Sequence, residues 1–380
     1  MRSALVFTSL FLVSVLTACT SSNPPADAGP GDAGGTGPVD AGRPDGGPLA
    51  VDAGVMDAGP PGANQWLTTC ALCHGDAGEG YRADDAPQLA NQDFLAVATD
   101  AFLREAIVHG RPGTRMSAFG DVWGGPHDDD AVGDLVTHIR GWQTEPSLDV
   151  HEEVVTGDAA RGATVYAERC ARCHGASGEG DTGVSLNNPR FLATASDGFL
   201  RHSIRLGRRG TMMQGWEGEL DDATIDDLVV LLRSWATPVV EPPPVIEPPT
   251  YEEIVINEGG VEPTFSPLIE GRYVPADEVN AQLELGARMI LLDARATSAF
   301  HMGHIPGSLS VPFYGTEAVV DFLPRDGTWI IAYCACPHAA SGRVMDALRA
   351  EGYTNTAVLD EGVVEWETRG YPMESSPGMP

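Results

Sequence analysis

The fold is decided by the stretch Cys70-Ala-Leu-Cys-His-Gly-Asp-Ala-Gly-Glu-Gly80, which recurs as Cys170-Ala-Arg-Cys-His-Gly-Ala-Ser-Gly-Glu-Gly180. The first cysteines of the two copies lie 100 residues apart. Later segments match in the same order: Asp100-Ala-Phe-Leu-Arg with Asp197-Gly-Phe-Leu-Arg, and Gly110-Arg-Pro-Gly-Thr-Arg-Met116 with Gly207-Arg-Arg-Gly-Thr-Met-Met213. A period of this length is too long for a solenoid, so the pattern indicates one small domain that occurs twice.

Each copy contains Cys-x-x-Cys-His, the sequence through which c-type haem is attached. In such a site two thiols bond covalently to the haem, and the histidine that follows becomes the proximal iron ligand. A Cys-x-x-Cys pair can instead bind zinc or form a disulfide, but zinc needs two further ligands and no second cysteine pair is near either site. The pattern therefore predicts two covalent c-type haems, held by these residues: Cys70, Cys73, His74, Cys170, Cys173 and His174.

A haem iron has a sixth position, and a methionine paired with histidine fills it in cytochromes c. Met116 lies 42 residues after His74, in a loop rich in glycine and proline that can approach the haem. In the second copy, alignment through the Gly-Thr pair selects Met213 over Met212 as the partner of His174.

Both copies resemble small class I cytochromes c in the attachment sequence, the Gly-x-x-Gly-Thr-x-Met loop and an apolar closing helix that ends in tryptophan. The resemblance covers residues 63–145 and 152–237, and it implies all-α domains that transfer electrons. The second copy has a full helical pattern before its cysteines, from Asp158 to Arg169, whereas the first has only Gly62 to Thr69. We therefore expect a short N-terminal helix and a more exposed haem edge in the first domain.

Residues 1–18 have the pattern of a lipoprotein signal peptide: a charged start, a short apolar core and small residues before Cys19. The core is too short to cross a bilayer. Leu16-Thr-Ala-Cys19 resembles the bacterial lipobox, which implies cleavage before Cys19 and a lipid anchor on that cysteine. A plain signal peptide followed by an incidental cysteine is the alternative. Thr20 favours the outer membrane facing the periplasm, with the cell surface as the other location.

Two segments of unusual composition separate the predicted domains. Residues 19–62 consist mainly of Asp-Ala-Gly and Pro-Gly repeats, whose low apolar content predicts disorder. Residues 238–262 begin with a proline-rich run, which favours a semi-rigid polyproline spacer. Unless it folds back, this spacer is expected to keep a third domain, at residues 265–374, apart from the haems.

The net charge is −31, and all 23 basic residues are arginine. A chain with this negative charge is not expected to bind nucleic acid or to dock on anionic lipid headgroups. Only the lipid anchor is therefore expected to hold it to a membrane. The charge favours basic partners, or simply solubility, and the predicted haems imply redox partner proteins. Four arginines before Met213 predict either a positive rim at the second haem edge or an ordinary solvated face: Arg201, Arg205, Arg208 and Arg209.

Short apolar strands alternate with helical stretches in the third domain, which predicts an α/β fold with a parallel sheet flanked by helices. The strand Trp329 to Tyr333 runs into Cys334, and a helix follows at Ala339 to Ala350. A thiol between a strand end and a helix N-terminus has its thiolate favoured by the helix dipole and by backbone N–H groups.

Three motifs of this domain resemble rhodanese-like proteins: Leu291-Leu-Asp-Ala-Arg295, Phe300-His-Met-Gly-His-Ile-Pro-Gly-Ser-Leu-Ser-Val-Pro312, and Leu359-Asp-Glu-Gly-Val-Val-Glu-Trp-Glu-Thr-Arg-Gly-Tyr-Pro372. The resemblance implies a rhodanese-like fold in which Cys334 is the nucleophile that carries a persulfide sulfur, taken from a small sulfur compound.

The predicted active loop departs from the Cys-x-x-Gly-x-Arg-Ser pattern of that family. Ala339 and Ala340 occupy the region of the arginine, and Arg343 follows only later. The side-chain clamp for thiosulfate is therefore absent from the pattern. Cys336 adds a second thiol, which leaves a Cys334–Cys336 redox pair as an alternative, and a fold kept only for binding as another.

These features together predict an exported di-haem electron-transfer protein with a rhodanese-like domain, linked to sulfur-compound redox chemistry in the periplasm. One alternative is an electron carrier whose third domain is a non-catalytic binding module. The other is a sulfurtransferase that uses its haems as a sensor.

Overall fold

The computed structural model describes residues 60–82, 86–239, 241, 254–335 and 338–376. These residues belong to one compact unit, Val55–Pro380. The predicted signal peptide, Cys19, all but the last residues of the predicted 19–62 linker, and Cys336 lie outside the described residues.

The first repeat folds into short helices connected by turns, and three of the helices begin with side-chain caps. Asn91, Thr99 and Asp128 each accept a hydrogen bond from the backbone N–H three residues later, as N-caps do. The elements are α1 (Ala63–Gln65), a π-helical turn (Trp66–Cys70), α2 (Ala71–His74), α3 (Gln92–Val97), α4 (Asp100–His109), a 3₁₀ turn (Asp121–Trp123) and α5 (Asp129–Arg140).

The second repeat has the same order of helices, with the short α1 and its π turn replaced by one regular helix. This confirms the expectation of a shorter N-terminal helix in the first domain. The elements are α6 (Ala159–Arg169), α7 (Ala171–His174), α8 (Pro189–Thr194), α9 (Asp197–Leu206) and α10 (Asp222–Ser234). In both repeats a glycine lets the N-terminal segment touch the closing helix, since a Cβ on Gly62 or Gly162 would overlap the carbonyl of Asp134 or Asp227.

The two helical domains share one apolar core and meet through equivalent residues. Phe102 and Phe199, which occupy the same repeat position, stack with ring centroids 4.7 Å apart. The Asn91 side-chain amide donates to the Arg209 carbonyl at 3.0 Å, and the Asn188 amide donates to the Pro112 carbonyl at 2.7 Å. Because each half contributes the same positions, the contact is isologous, as in a two-fold dimer.

The third domain is a parallel five-stranded sheet in the order β1-β5-β4-β2-β3, with helices on its faces. This confirms the predicted α/β class. The strands are β1 (Tyr273–Val274), β2 (Met289–Asp293), β3 (Leu309–Ser310), β4 (Trp329–Tyr333) and β5 (Thr356–Leu359). The helices are α11 (Ala276–Glu284), α12 (Thr297–Met302), α13 (Glu317–Val320), α14 (Ala339–Ala350) and α15 (Gly362–Thr368).

The third domain packs directly on the first helical domain, so the expectation that a spacer holds it apart was wrong. Ser298 Oγ, on α12, donates a buried hydrogen bond of 3.0 Å to the Ala118 carbonyl. Leu72, between the first pair of cysteines, packs against the core of the third domain. At the start of the spacer, Glu241 pairs with Arg190 on α8 at 3.3 Å. Composition predicts the stiffness of a linker but not the docking of the domain beyond it.

Candidate haem and thiol sites

The first Cys-x-x-Cys-His segment lies on the π turn and α2, and it presents a neutral histidine. His74 Nδ1 lies 2.9 Å from the Pro87 carbonyl oxygen. A carbonyl only accepts, so Nδ1 carries the proton and Nε2 keeps a lone pair. Burial lowers the pKa of His74 below its ordinary value, which the bond to Pro87 offsets only in part. This is the protonation state in which imidazole binds a metal.

The second segment reproduces this arrangement on α7. His174 Nδ1 lies 2.8 Å from the Val184 carbonyl oxygen. Burial lowers the pKa of His174 as well. The histidine tautomer is therefore fixed in the same way in both repeats, by a carbonyl 10 residues later in one and 13 in the other.

The two predicted proximal histidines differ in exposure. His74 is 7% exposed, whereas His174 is only half-buried. Trp66 packs near His74, with ring centroids 6.1 Å apart, and the third domain covers the neighbouring Leu72. The third domain thus adds to the cover of the first segment, and the prediction of a more exposed first haem edge, which concerns the bound haem, stays a prediction.

The cysteines of the two segments fit covalent attachment better than zinc binding. Burial raises the pKa of Cys70 and of Cys170 to about 11, so both are thiols at neutral pH. Among the described residues, no three His, Cys, Asp or Glu side chains converge on a point that could hold a metal ion. Neither segment therefore provides the set of ligands that a structural zinc ion needs.

The methionine loops have the same backbone hydrogen bonds in both repeats, which supports the sequence alignment. The N–H of Arg111 donates to the Met116 carbonyl at 2.8 Å, and that of Arg208 donates to the Met213 carbonyl at 2.7 Å. Met213 is half-buried, whereas Met212 is 80% exposed. The structure thus places Met213, rather than its neighbour, at the position equivalent to Met116.

A single cavity of about 1270 Å³ joins the sites. Its volume exceeds the range of about 300–1,000 Å³ that one drug-sized ligand occupies. Both attachment segments, both methionines and the thiol of the third domain line it, through these residues among others: Cys70, Cys73, His74, Met116, Cys170, Cys173, His174, Met213 and Cys334.

Two arginines line this cavity at equivalent positions of the repeat, Arg111 and Arg208. Arg208 belongs to the arginine cluster noted in the sequence, whereas Arg111 was missed. Arg111 donates to the Gly110 carbonyl, and Arg208 donates to the Gly207 carbonyl. Burial lowers the pKa of each guanidinium to about 10. Neither forms an ion pair with a carboxylate within the described part of the chain. Such cations suit the acidic groups of a cofactor, and the repeated Gly-Arg pair was the signal that could have identified Arg111 as the counterpart of Arg208.

The predicted positive rim at the second site is not present as free charge. Arg201, Arg205 and Arg209 form ion pairs with Asp226, Glu217 and Asp93, at 2.7, 2.8 and 2.8 Å. Arg208 points into the contact between the two helical domains, 5.7 Å from the Phe94 ring centroid. The cluster therefore serves packing between and within these domains, and its charge is largely neutralised.

Cys334 lies where the sequence predicted, directly after β4 and before the helix α14. Its side chain is 4% exposed, and Sγ lies 3.2 Å from Ser341 Oγ on the first turn of α14. The Cys334 carbonyl accepts a hydrogen bond from the N–H of Val363 at 2.9 Å, which holds the loop onto α15. The second thiol, Cys336, lies outside the described residues, so the structure does not test a Cys334–Cys336 pair.

No arginine of the loop replaces the clamp that the sequence lacks, within the residues described here. Ala339 and Ala340 line the cavity beside Cys334. Arg343 is exposed and turns away, donating to the Thr68 carbonyl of the first helical domain at 3.2 Å and lying over the Phe313 ring. Its role is therefore to join the domains.

Two family models match the chain. Residues 57–139 and 157–232 match the family described as "Cytochrome C oxidase, cbb3-type, subunit III". Residues 275–369 match the family described as "Rhodanese-like domain". The three regions coincide with the two helical repeats and the parallel sheet.

Similar proteins cover parts of the chain. A "Cbb3-type cytochrome c oxidase subunit CcoP" of Azospirillum sp. (strain B510) is 32% identical over 192 residues, which are 46% of this chain and 60% of that protein. A "Cbb3-type cytochrome c oxidase subunit FixP" of Bradyrhizobium sp. (strain ORS 278) is 31% identical over 176 residues, 43% of this chain and 57% of that protein. The chain therefore spans about three fifths of the length of these curated relatives.

A solved structure resembles the third domain. The rhodanese-like domain of an Anabaena sp. protein is 25% identical, covers 29% of this chain and 80% of that one, and aligns with a TM-score of 0.26. From the family matches, the helical part is a pair of c-type cytochrome domains with two covalent c-type haems, and the sheet is a rhodanese-like domain.

Proposed function

We propose that this pair of cytochrome domains and its rhodanese-like domain link electron transfer to sulfur-compound chemistry outside the cytoplasm. The shared cavity supports this most, because Cys334 and both attachment segments line it. A bound c-type haem supplies reversible one-electron transfer. The protein then has to hold the haems, exclude water and present the thiol.

The proposed roles follow the repeat. Cys70 with Cys73, and Cys170 with Cys173, form the covalent attachments. His74 with Met116, and His174 with Met213, are the axial ligand pairs, and the bonds from His74 and His174 to backbone carbonyls fix their ring orientation. Arg111 and Arg208 face the acidic groups of the haems. The proposed domain limits remain 63–145, 152–237, 238–262 for the spacer and 265–374, and helix ends at Arg140, Ser234 and Thr368 agree with them.

The haem content tests these roles directly. Denatured protein should retain two haems per chain in a pyridine haemochrome assay, because thioether bonds survive unfolding. Replacing both Cys170 and Cys173 by alanine should leave one. If the unchanged chain holds a single haem, or if the double variant still holds two, the attachment sites are assigned wrongly.

Cys334 is the proposed acceptor of sulfane sulfur. Its thiolate attacks the outer sulfur of a persulfide donor, the donor's S–S bond breaks, and a Cys334 persulfide and a thiolate leaving group result. A small organic persulfide should therefore add the mass of one sulfur atom to the Cys334 peptide. Cys334→Ser should abolish the adduct and keep both haems, whereas an unchanged adduct in that variant would place the chemistry on another thiol.

Two observations favour the alternatives enough to test them. Ala339 and Ala340 supply no clamp, which fits a third domain that only binds. The hydrogen bond from Ser298 to the Ala118 carbonyl, two residues after Met116, fits a haem sensor of the thiol's state. Absence of any adduct on Cys334 or Cys336 supports the binding module. An adduct that shifts a haem spectrum without any electron being transferred supports the sensor.

Export and anchoring are also proposed. No helix among the described residues has the length and apolar character needed to cross a bilayer. A lipid on Cys19 would then hold the chain at the outer membrane, facing the periplasm, and Cys19→Ala should move it from washed membranes to the soluble fraction. Redox proteins are the proposed partners, which agrees with relatives that are named as subunits of an oxidase. A variant that stays in the membranes would point to another anchor.

A further inference from the structure

The rhodanese-like domain covers the haem-attachment face of the first cytochrome domain. Leu72, between the two attachment cysteines, packs against its core, and Arg343 of α14 bonds to Thr68 two residues before Cys70. On the other side, Ser298 bonds to Ala118 two residues after Met116. The third domain therefore holds both the attachment segment and the methionine loop of one haem site.

The repeat provides a control for this contact within the same chain. Position 72 is leucine, and its equivalent is Arg172; position 68 is threonine, and its equivalent is Glu168. Arg172 and Glu168 are exposed. At the covered position the first copy thus carries Leu72, which is half-buried, where the second carries the exposed charge of Arg172. This difference follows the cost of burying an unpaired charge.

Cys334 lines the part of the cavity that adjoins this contact, and this part is called the compartment below. It is 4% exposed but lines the cavity that also contains Cys70, Cys73 and Met116. The neighbouring wall is apolar and made of short side chains at Ala339 and Ala340. Arg295 lines the same cavity, but its guanidinium is paired with the buried Asp293 carboxylate. A thiosulfate dianion would therefore lose its hydration there with little compensation, whereas a small neutral hydride of sulfur would lose little.

Resting on the proposed sulfur-acceptor function of Cys334, we propose that this compartment binds dihydrogen sulfide and that Cys334 is the site of its oxidation, with the first cytochrome site as the electron acceptor. The balance is Cys334–SH + H₂S → Cys334–S–SH + 2 H⁺ + 2 e⁻. Two S–H bonds break and one S–S bond forms. The oxidant is ferric haem, one electron for each haem, so one turnover fills the capacity of the two sites.

The test uses the full-length, haem-loaded protein, oxidised and kept without oxygen. Sodium sulfide should add one sulfur atom to the Cys334 peptide and reduce two haems for each adduct formed. Cys334→Ser should give no adduct and little haem reduction, while Cys336→Ser, the matched thiol of the same loop, should behave like the unchanged chain. Equal haem reduction in Cys334→Ser, an adduct without haem reduction, or loss of both in Cys336→Ser would overturn the proposal.

A persulfide donor separates this inference from the proposed function, because it delivers sulfur without requiring an oxidant. An adduct from the persulfide but not from sulfide means that Cys334 accepts sulfur and does not oxidise sulfide. No adduct from either reagent means that the sulfur-acceptor function itself is wrong. Thiosulfate should give less adduct than the persulfide. An equal amount would contradict the inference that the apolar surroundings of Cys334 disfavour an anionic donor.

The repeat also supplies the variants that test which of the two cytochrome sites accepts electrons from Cys334. Leu72→Arg, which copies the residue of the second domain, should slow sulfide-dependent haem reduction by about tenfold or more, because misplaced reaction partners lose rate steeply. Its haem content and its adduct from the persulfide should not change. Arg172→Leu, the reverse exchange, should leave the rate as it was. A rate that falls only in Arg172→Leu would assign the thiol to the other site.

Discussion

At the scale of single residues, the loop geometry favours Met213 over Met212 as the proposed iron ligand of the second site. Met212 and Met213 are adjacent, but only Met213 has the loop position that Met116 occupies in the first repeat, and Met212 is 80% exposed. Met213→Ala should remove the methionine-to-iron absorption band of one haem and lower one reduction potential, since the thioether ligand that raises the potential is lost.

The neighbouring methionine is the control for this prediction. Met212→Ala should leave the spectrum and both potentials unchanged in a redox titration followed by absorbance. If Met212→Ala lowers a potential and Met213→Ala does not, the loop assignment is reversed.

Residues whose chemistry is local could be predicted from the sequence. The cysteines and histidines stand in a motif that fixes their spacing, and Cys334 stands where an apolar strand meets a helix. Arg111 was missed, and Arg208 was noted only as a member of a charged cluster, because the sequence does not show that an arginine is buried. Cys334 could be placed, but its exposure could not, since the residues that bury it come from distant parts of the chain.

At the scale of elements, each cytochrome domain is stabilised by the close contact between its N-terminal helix and its closing helix. Gly162 makes this crossing possible on α6, because a Cβ there would meet the Asp227 carbonyl of α10. Arg161, the residue before it, binds both carboxylate oxygens of Asp227 at 2.7 and 2.8 Å. The crossing is therefore tight in both its backbone and its side-chain contacts.

Gly162→Ala should destabilise the second cytochrome domain by about 1–3 kcal/mol, the usual range for overpacking. Chemical denaturation followed through the haem absorbance would measure it. Gly133→Ala is the matched control, because a Cβ at this helical position on α5 meets no atom within 4 Å. It should be neutral or stabilise by up to about 1 kcal/mol, since alanine is the better helix former. Similar losses in both variants would mean that the crossing is not responsible.

The helices and strands themselves followed the apolar periodicity closely. The strand at Trp329–Tyr333 and the helix at Ala339–Ala350 have the bounds that the pattern predicted. The π turn at Trp66–Cys70 did not, because helical periodicity does not distinguish a π turn from a regular one.

For the whole molecule, the contact between the third and first domains is the feature that sequence could not predict. It depends on single differences between the repeats, such as leucine against arginine at Leu72 and Arg172. The composition of the proline-rich segment predicts how far the third domain can extend, but not the surface on which that domain packs.

Cutting the spacer measures how strongly the domains hold together. A protease site placed within residues 242–250 should be cleaved without releasing the third domain, because a buried hydrogen bond and an apolar contact join it to the first domain. The two pieces should co-elute in gel filtration. The same cut in a Leu72→Arg chain should give two separate peaks. Separation of the pieces in the unchanged chain would show that the spacer alone keeps them together.

The isologous contact between the cytochrome domains has a consequence for symmetry. Two identical subunits that met through Phe102 and Phe199 would have to present the same face twice, so a covering domain would close both copies or neither. Joining the halves in one polypeptide removes that constraint and also makes their pairing independent of concentration. A third domain can then cover the haem site of one copy while the site of the other copy stays open to solvent. The two sites of a symmetric pair thereby differ in which molecules can reach them.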